Sequence, residues 1–254
     1  MDNSINFVNT NSFIMKKIIL IMAVISVSLV SRAQTPRVDS VAVMILNRMA
    51  DIIGDLNSCS FTLNISFDTP DPDFGLVKHS ETAEVYMSGP DKAMIHSYGD
   101  KGHRGFWYNG SQVAYYSFDE NNYAIVEAPP TIIAMFDTIN KHYDIEFPAA
   151  DFFYPTFTDD VLNQFDNIIY LGEREIDNQE CFQILAFNSN MSVQFWIAND
   201  AYNLPIKFVI LYKNQGNKQY EATFSNWKLN PVIPAAVFEF MAPPKANKIT
   251  LMPK

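Results

Sequence analysis

The chain has 254 residues, 48% of them hydrophobic and 14% aromatic, with 9 Gly and 14 Pro, which excludes a disordered tail and a collagen-like repeat. Its 18 Lys and Arg stand against 28 Asp and Glu, a net charge of −10 and the wrong sign for a protein that tracks a phosphate backbone, so no nucleic acid is expected as a partner. With 2 Cys, neither a disulfide-rich scaffold nor a four-thiolate zinc site is available.

Residues 1–14 are polar, rich in Asn and followed by a second Met, so we take Met15 as the native start and the preceding stretch as a non-native extension. Met15-Lys16-Lys17, the apolar run Ile18 to Val30 and the small residues around Ser31-Arg32-Ala33 read in order as a signal peptide over residues 15–33. The run falls short of the roughly 20 apolar residues of a spanning helix. Cleavage after Ala33 leaves residues 34–254 with no Cys for a lipid anchor. The expected product is a soluble periplasmic protein without a transmembrane segment.

From Val38 to Leu56 apolar residues recur at spacings of three and four, an amphipathic helix that Asp39 or Ser40 can cap. The period then changes to two: Cys59, Phe61, Leu63, Ile65 and Phe67 alternate with polar residues, as in a half-buried strand. Asp68 to Gly75 reads as a turn, and its three aspartates suit either a solvated loop, the simpler reading, or a hard cation. Strands are expected at about 79–88, 91–98, 103–109, 112–118 and 122–127, separated by turn signals such as Asn109-Gly110.

The strand signal stops at Pro129. Ile132, Met135, Phe136, Ile139 and Tyr143 share a helical face, a very apolar stretch runs from Phe147 to Tyr154, and Asp159 to Phe165 reads as another short helix. Strands resume at about 167–176, 180–188, 192–198, 205–213 and 218–228, with a short one after Pro244. The order predicts one mainly β, α+β domain over residues 34–254: a strongly curved, antiparallel half-open β-barrel of about 11 strands. The N-terminal helix and the helical insertion cover its concave face.

Catalytic motifs are missing: there is no G-x-S-x-G elbow, no phosphate loop and no dinucleotide turn. His79, His96, His103 and His142 form no pair at metal-ligand spacing, so neither a metal nor a cofactor is expected. The nearest acid–base candidates, Asp137, His142 and Asp151, read more simply as a solvated helix face and a cap. Cys59 and Cys181 lie on expected strands, either bridged, which chain entropy values at about 5 kcal/mol, or as two buried thiols.

Several strands are apolar on both faces, notably Phe106-Trp107-Tyr108, Tyr115-Tyr116 and Ile206 to Tyr212, so something must cover both sides. Either helices and loops complete two ordinary layers, or the concave face encloses a cavity for an acyl chain. In the second reading Phe61, Leu63, Ile65, Val85, Met87, Phe106 and Tyr108 form the wall, and Ile132, Met135, Phe136 and Ile139 the lid.

Seven stretches carry a resemblance: Arg104-Gly-Phe-Trp-Tyr-Asn-Gly110, Tyr123 to Pro129, Tyr143 to Asp151, Tyr170-Leu-Gly172, Gln194-Phe-Trp-Ile197, Leu204 to Ile210 and Phe224-Ser-Asn-Trp-Lys228. Together they resemble the domain-of-unknown-function family 2092 of periplasmic proteins, over roughly Val38 to Ile249. That family is in turn similar to the lipoprotein-localisation factors LolA and LolB, whose half-open barrel is closed by helices over a hydrophobic mouth. The resemblance implies carriage or sensing of acyl chains. Where many relatives carry Cys-His-His this chain has Cys181-Phe182-Gln183, which removes clustered imidazoles.

Two functions follow as expectations. The first is a non-enzymatic, monomeric carrier of a hydrophobic small molecule, acyl chain or lipidated polypeptide, with an envelope protein as a further partner. The alternative is an envelope-sensing or protein-interaction module that offers the concave face to a polypeptide.

Overall fold

The computed structural model describes residues 37–254, so the expected extension (1–14) and leader (15–33) lie outside the described residues. Helix α1 (Ser40–Gly54) precedes strands β1 (Ser58–Asp71), β2 (Gly75–Ser88), β3 (Lys92–Gly99), β4 (Gly102–Tyr108), β5 (Gln112–Ser117) and β6 (Asn122–Glu127). Helices α2 (Ile132–Tyr143) and α3 (Phe157–Gln164) interrupt the strands. Strands β7 (Asn167–Ile176), β8 (Gln179–Phe187), β9 (Met191–Ala198), β10 (Pro205–Tyr212), β11 (Lys218–Leu229) and β12 (Asn247–Lys248) complete the chain.

All twelve strands join one sheet in the order β12-β6-β5-β4-β3-β2-β1-β11-β10-β9-β8-β7. Pairing is antiparallel except where the short β12 runs parallel to β6. This is the mainly β, half-open barrel expected, with the tail strand as its twelfth member. The ends of the described chain pair with one end each of the outer strands β7 and β6. Asp39 N–H donates to the Ile168 carbonyl and Ile168 N–H to the Arg37 carbonyl, each at 2.8 Å, while Ile249 N–H donates to the Tyr123 carbonyl at 2.8 Å.

Period-two apolar residues of the strands face one side and meet the stripes of the helices. Helix α1 starts at Asp39, whose carboxylate accepts from Val41 N–H, and it buries Ala42, Ile45, Leu46, Met49 and Ile53. One core cluster takes in these residues, the inward faces of β1 to β5 and of β7 to β11, and the buried residues of α2 and α3.

The Asp68 to Gly75 stretch departs from its expected reading. Asp71 Oδ1 accepts from Asp73 and Phe74 N–H, both at 2.9 Å, which tightens the reversal to Pro72–Phe74. Pairing therefore continues through Pro70 and Leu76. Asp68 pairs with Lys78 at 2.8 Å.

Of the strands apolar on both faces, β4 and β5 are covered from two sides. Phe106 and Tyr108 point inward, whereas Trp107 and Tyr116 point outward onto Phe240, with ring centroids 5.1 and 5.9 Å away. The tail after β11 crosses the outer face here, burying Phe238 in its 3-10 turn Ala235–Phe238. That segment has no hydrophobic period, so its covering role could not be read from the sequence.

The candidate ligand cavity under the helical lid

The inward residues of the sheet change character along the strands. On β2 they run Met87, Val85, Ala83, Glu81, and on β4 Tyr108, Phe106, Arg104, so one end is apolar and the other carries an Arg104–Glu81 ion pair at 2.9 Å. Helix α2 lies over the apolar end. Its first turn is capped by Thr131, whose hydroxyl accepts from Ala134 N–H at 3.3 Å, and it stops at Asp144 in the left-handed region (φ 57). The expected lid residues Ile132, Met135, Phe136 and Ile139 are its buried residues.

The expected wall residues Phe61, Leu63, Ile65, Val85, Met87 and Tyr108 are buried in the same cluster, with Phe106 half-buried against it. The structure therefore brings all eleven together. They bury one another: the void left between Ala93, Ile95, Phe106, Tyr108, Val113, Met135 and Phe147 is about 10 Å³. That is room for about one water, against the roughly 300–1,000 Å³ of ligand pockets.

The filling comes from residues outside the expected site. After α2, a plug of aromatic side chains enters the half-barrel. Phe147 meets Phe136 at 4.8 Å and Phe106 at 5.3 Å. Phe152 sits among Phe157, Phe208 and Phe224 at 5.0, 5.2 and 5.4 Å, and Phe153 stacks on Phe61 at 5.8 Å. Ala149, buried at φ 60, turns the chain into the 3-10 turn Ala150–Phe153 that presents these rings. The dense, aperiodic apolar stretch from Phe147 to Tyr154 was the available signal.

Polar contacts latch lid and plug. The Tyr108 hydroxyl donates to the Pro129 carbonyl at 2.5 Å, just ahead of α2, and burial, then the nearby Asp91, pushes its pKa up to about 12. The Tyr154 hydroxyl donates to Asp137 Oδ1 at 2.8 Å, tying plug to lid. Lys254 N–H donates to the His142 carbonyl at 2.8 Å, and its ammonium pairs with Asp144. Asp151 stands at the plug with its carboxyl held above the usual carboxylate value, first by desolvation, then by Glu146 and Asp160.

The acid–base candidates do not converge. Asp137 holds Tyr154, while His142 is exposed and its Nδ1 donates to the Thr138 carbonyl of its own helix at 3.0 Å. Cys59 and Cys181 are both free. Cys59 lies in the main core, where burial raises its pKa to about 12, and Cys181 in a separate cluster with Ala198 and Ile206. Their strands are four positions apart in the sheet, roughly 19 Å at the usual spacing, so the bridged reading is corrected to two buried thiols. Two imidazoles that spacing did not pair, His96 and His103, meet Nε2 to Nε2 at 2.6 Å through the β3–β4 pairing. Among the described residues no three His, Cys, Asp or Glu side chains are placed to hold a metal ion, and no helix is long and apolar enough to cross a membrane.

The family model described as "Predicted periplasmic protein (DUF2092)" matches residues 42–252. The chain belongs to this family. Among solved structures, an uncharacterized conserved protein from Thermus thermophilus superposes with a TM-score of 0.50 at 13% identity, covering 83% of this chain and 99% of that one. The lipoprotein LppX of Mycobacterium tuberculosis gives a TM-score of 0.48 at 14% identity, covering 78% and 100%. A LolA superfamily protein from Nitrosomonas europaea gives 0.36 at 9% identity, covering 78% and 97%. At 13% identity the Thermus protein shares the fold and no more. No curated protein matches the chain.

Proposed function

We propose that this protein is an exported, periplasmic binder or carrier of a hydrophobic ligand, an acyl chain, lipid or lipidated polypeptide. The ligand occupies the space released when α2 and the aromatic plug withdraw from the half-barrel. The observation that carries this reading is the source of the filling. The interior is occupied by Phe147, Phe152 and Phe153, which arrive on an insertion between β6 and β7 rather than on the sheet that forms the wall.

Magnitudes set the chain length such an exchange needs. Re-exposing Ile132, Met135, Phe136 and Ile139 of the lid with Phe147, Phe152 and Phe153 of the plug costs about 1.5–3 kcal/mol each, about 10–21 kcal/mol together, while each methylene buried returns about 0.8 kcal/mol. A chain of roughly 13 to 26 methylenes offsets the opening of lid and plug. The alternative of a polypeptide partner on the concave face needs the same withdrawal of lid and plug and, unlike an acyl chain, brings backbone polar groups against the apolar wall.

Native mass spectrometry of protein purified from its own envelope is the test. Bound acyl species are expected, together with uptake of fluorescent acyl probes that rises steeply with chain length. Met135→Asp or Phe136→Asp is expected to lower uptake while circular dichroism shows the sheet intact. A ligand-free mass with no uptake at any chain length contradicts the reading.

A further inference from the structure

The sheet is not continuous between β10 and β11. These strands pair from Tyr212–Lys218 only as far as Lys207–Thr223. Beyond that point β11 follows β1 as far as the Leu229–Cys59 pair, and β10 follows β9 as far as Pro205–Ile197. Each strand carries an irregularity at the split. Asn226 sits at φ 56 opposite the β1 register shift between Ser60 and Thr62, and the β10 register shifts between Pro205 and Lys207. Trp227 Nε1–H donates to the Pro205 carbonyl at 3.3 Å across the fork.

The fork opens into a cleft of about 530 Å³, within the range of ligand pockets and far larger than the void under the lid. Its apolar lining includes Leu204, Phe224, Trp227 and Leu229. Phe224 and Trp227 also belong to the interior aromatic group, Trp227 lying 4.4 Å from Phe61. Its polar groups come from Gln179, Asp200, Tyr202, Ser225 and Asn226: amides, two hydroxyls and one carboxylate, with no Lys, Arg or His.

We propose that this fork is the entrance and head-group site for a single-chain amphiphile with an uncharged, hydroxyl-bearing head. The chain passes Leu204 and Trp227 toward the Phe61 and Phe224 rings, and the head hydrogen-bonds to Gln179, Asp200 and Asn226. Without a cation to offset it, the Asp200 carboxylate disfavours an anionic head. The inference rests on the hydrophobic-ligand reading above.

Titration with monoolein and, separately, with oleate tests it, since the two differ in head charge at similar chain length. The expected result is monoolein bound about tenfold or more tightly than oleate, with the gap narrowed by Asp200→Asn, which keeps the oxygen that accepts from Tyr202 and Asn203 N–H at 2.9 Å. Gln179→Trp, at an exposed position on the rim, is expected to lower monoolein uptake several-fold with the melting temperature unchanged. Monoolein uptake that Gln179→Trp leaves untouched, or oleate bound as tightly as monoolein, overturns the fork assignment and leaves the lid reading standing. No uptake of either amphiphile overturns both.

Discussion

Asp151, exposed on the plug, ties the stability of this segment to pH. Its carboxyl is raised above the ordinary value of 3.8 by desolvation and by the neighbouring Glu146 and Asp160, so the folded state holds its proton more tightly than the unfolded chain. That contribution to stability is fully present below the ordinary value and is lost as pH rises through the raised one, leaving a penalty at neutral pH. Asp151→Asn, which forfeits no side-chain hydrogen bond seen here, is expected to raise the melting temperature at pH 7 and to give no gain near pH 3.5, measured by thermal denaturation at both. An equal gain at both pH values contradicts the assignment. Asp151 was legible in the sequence only as a cap, because the two carboxylates that press on it come from Glu146 and from α3.

At the scale of elements, helix α2 is held down by its buried Ile132, Met135, Phe136 and Ile139, and polar contacts at its ends add to that hold. The Tyr108 hydroxyl on the Pro129 carbonyl is one such contact, worth about 1 kcal/mol net. Tyr108→Phe keeps the ring in the wall and weakens the closed state alone, so a titration with an acyl probe is expected to show affinity raised about fivefold and stopped-flow uptake correspondingly faster.

The elements themselves were legible because each declares a period. Strand β7 runs from Asn167 to Ile176, the bounds expected for it, and α1 (Ser40–Gly54) lies inside the Val38 to Leu56 stretch of three-and-four spacing. The plug and the outer tail were not, because Phe147 to Phe153 and Phe238 to Phe240 are aperiodic and find their partners far away in sequence. The fork escaped for a related reason: it depends on the register of four strands at two irregular positions, and register leaves no mark in a single strand's pattern.

On the scale of the whole molecule, a twelve-stranded sheet supplies a fixed wall, and one insertion supplies both lid and filling. The apolar excess noted in the composition divides among three destinations: the self-filled interior, the outer face under Phe240, and the fork beside Trp227. The central claim is that ligand replaces the plug rather than adding to a space already present. Hydrogen exchange measured by mass spectrometry on the ligand-free protein and on the protein loaded with monoolein tests it most directly. The account predicts that amides of α2 and of residues 144–157 lose protection on loading while those of β1 to β3 keep theirs. Full protection of lid and plug in the loaded protein would contradict it.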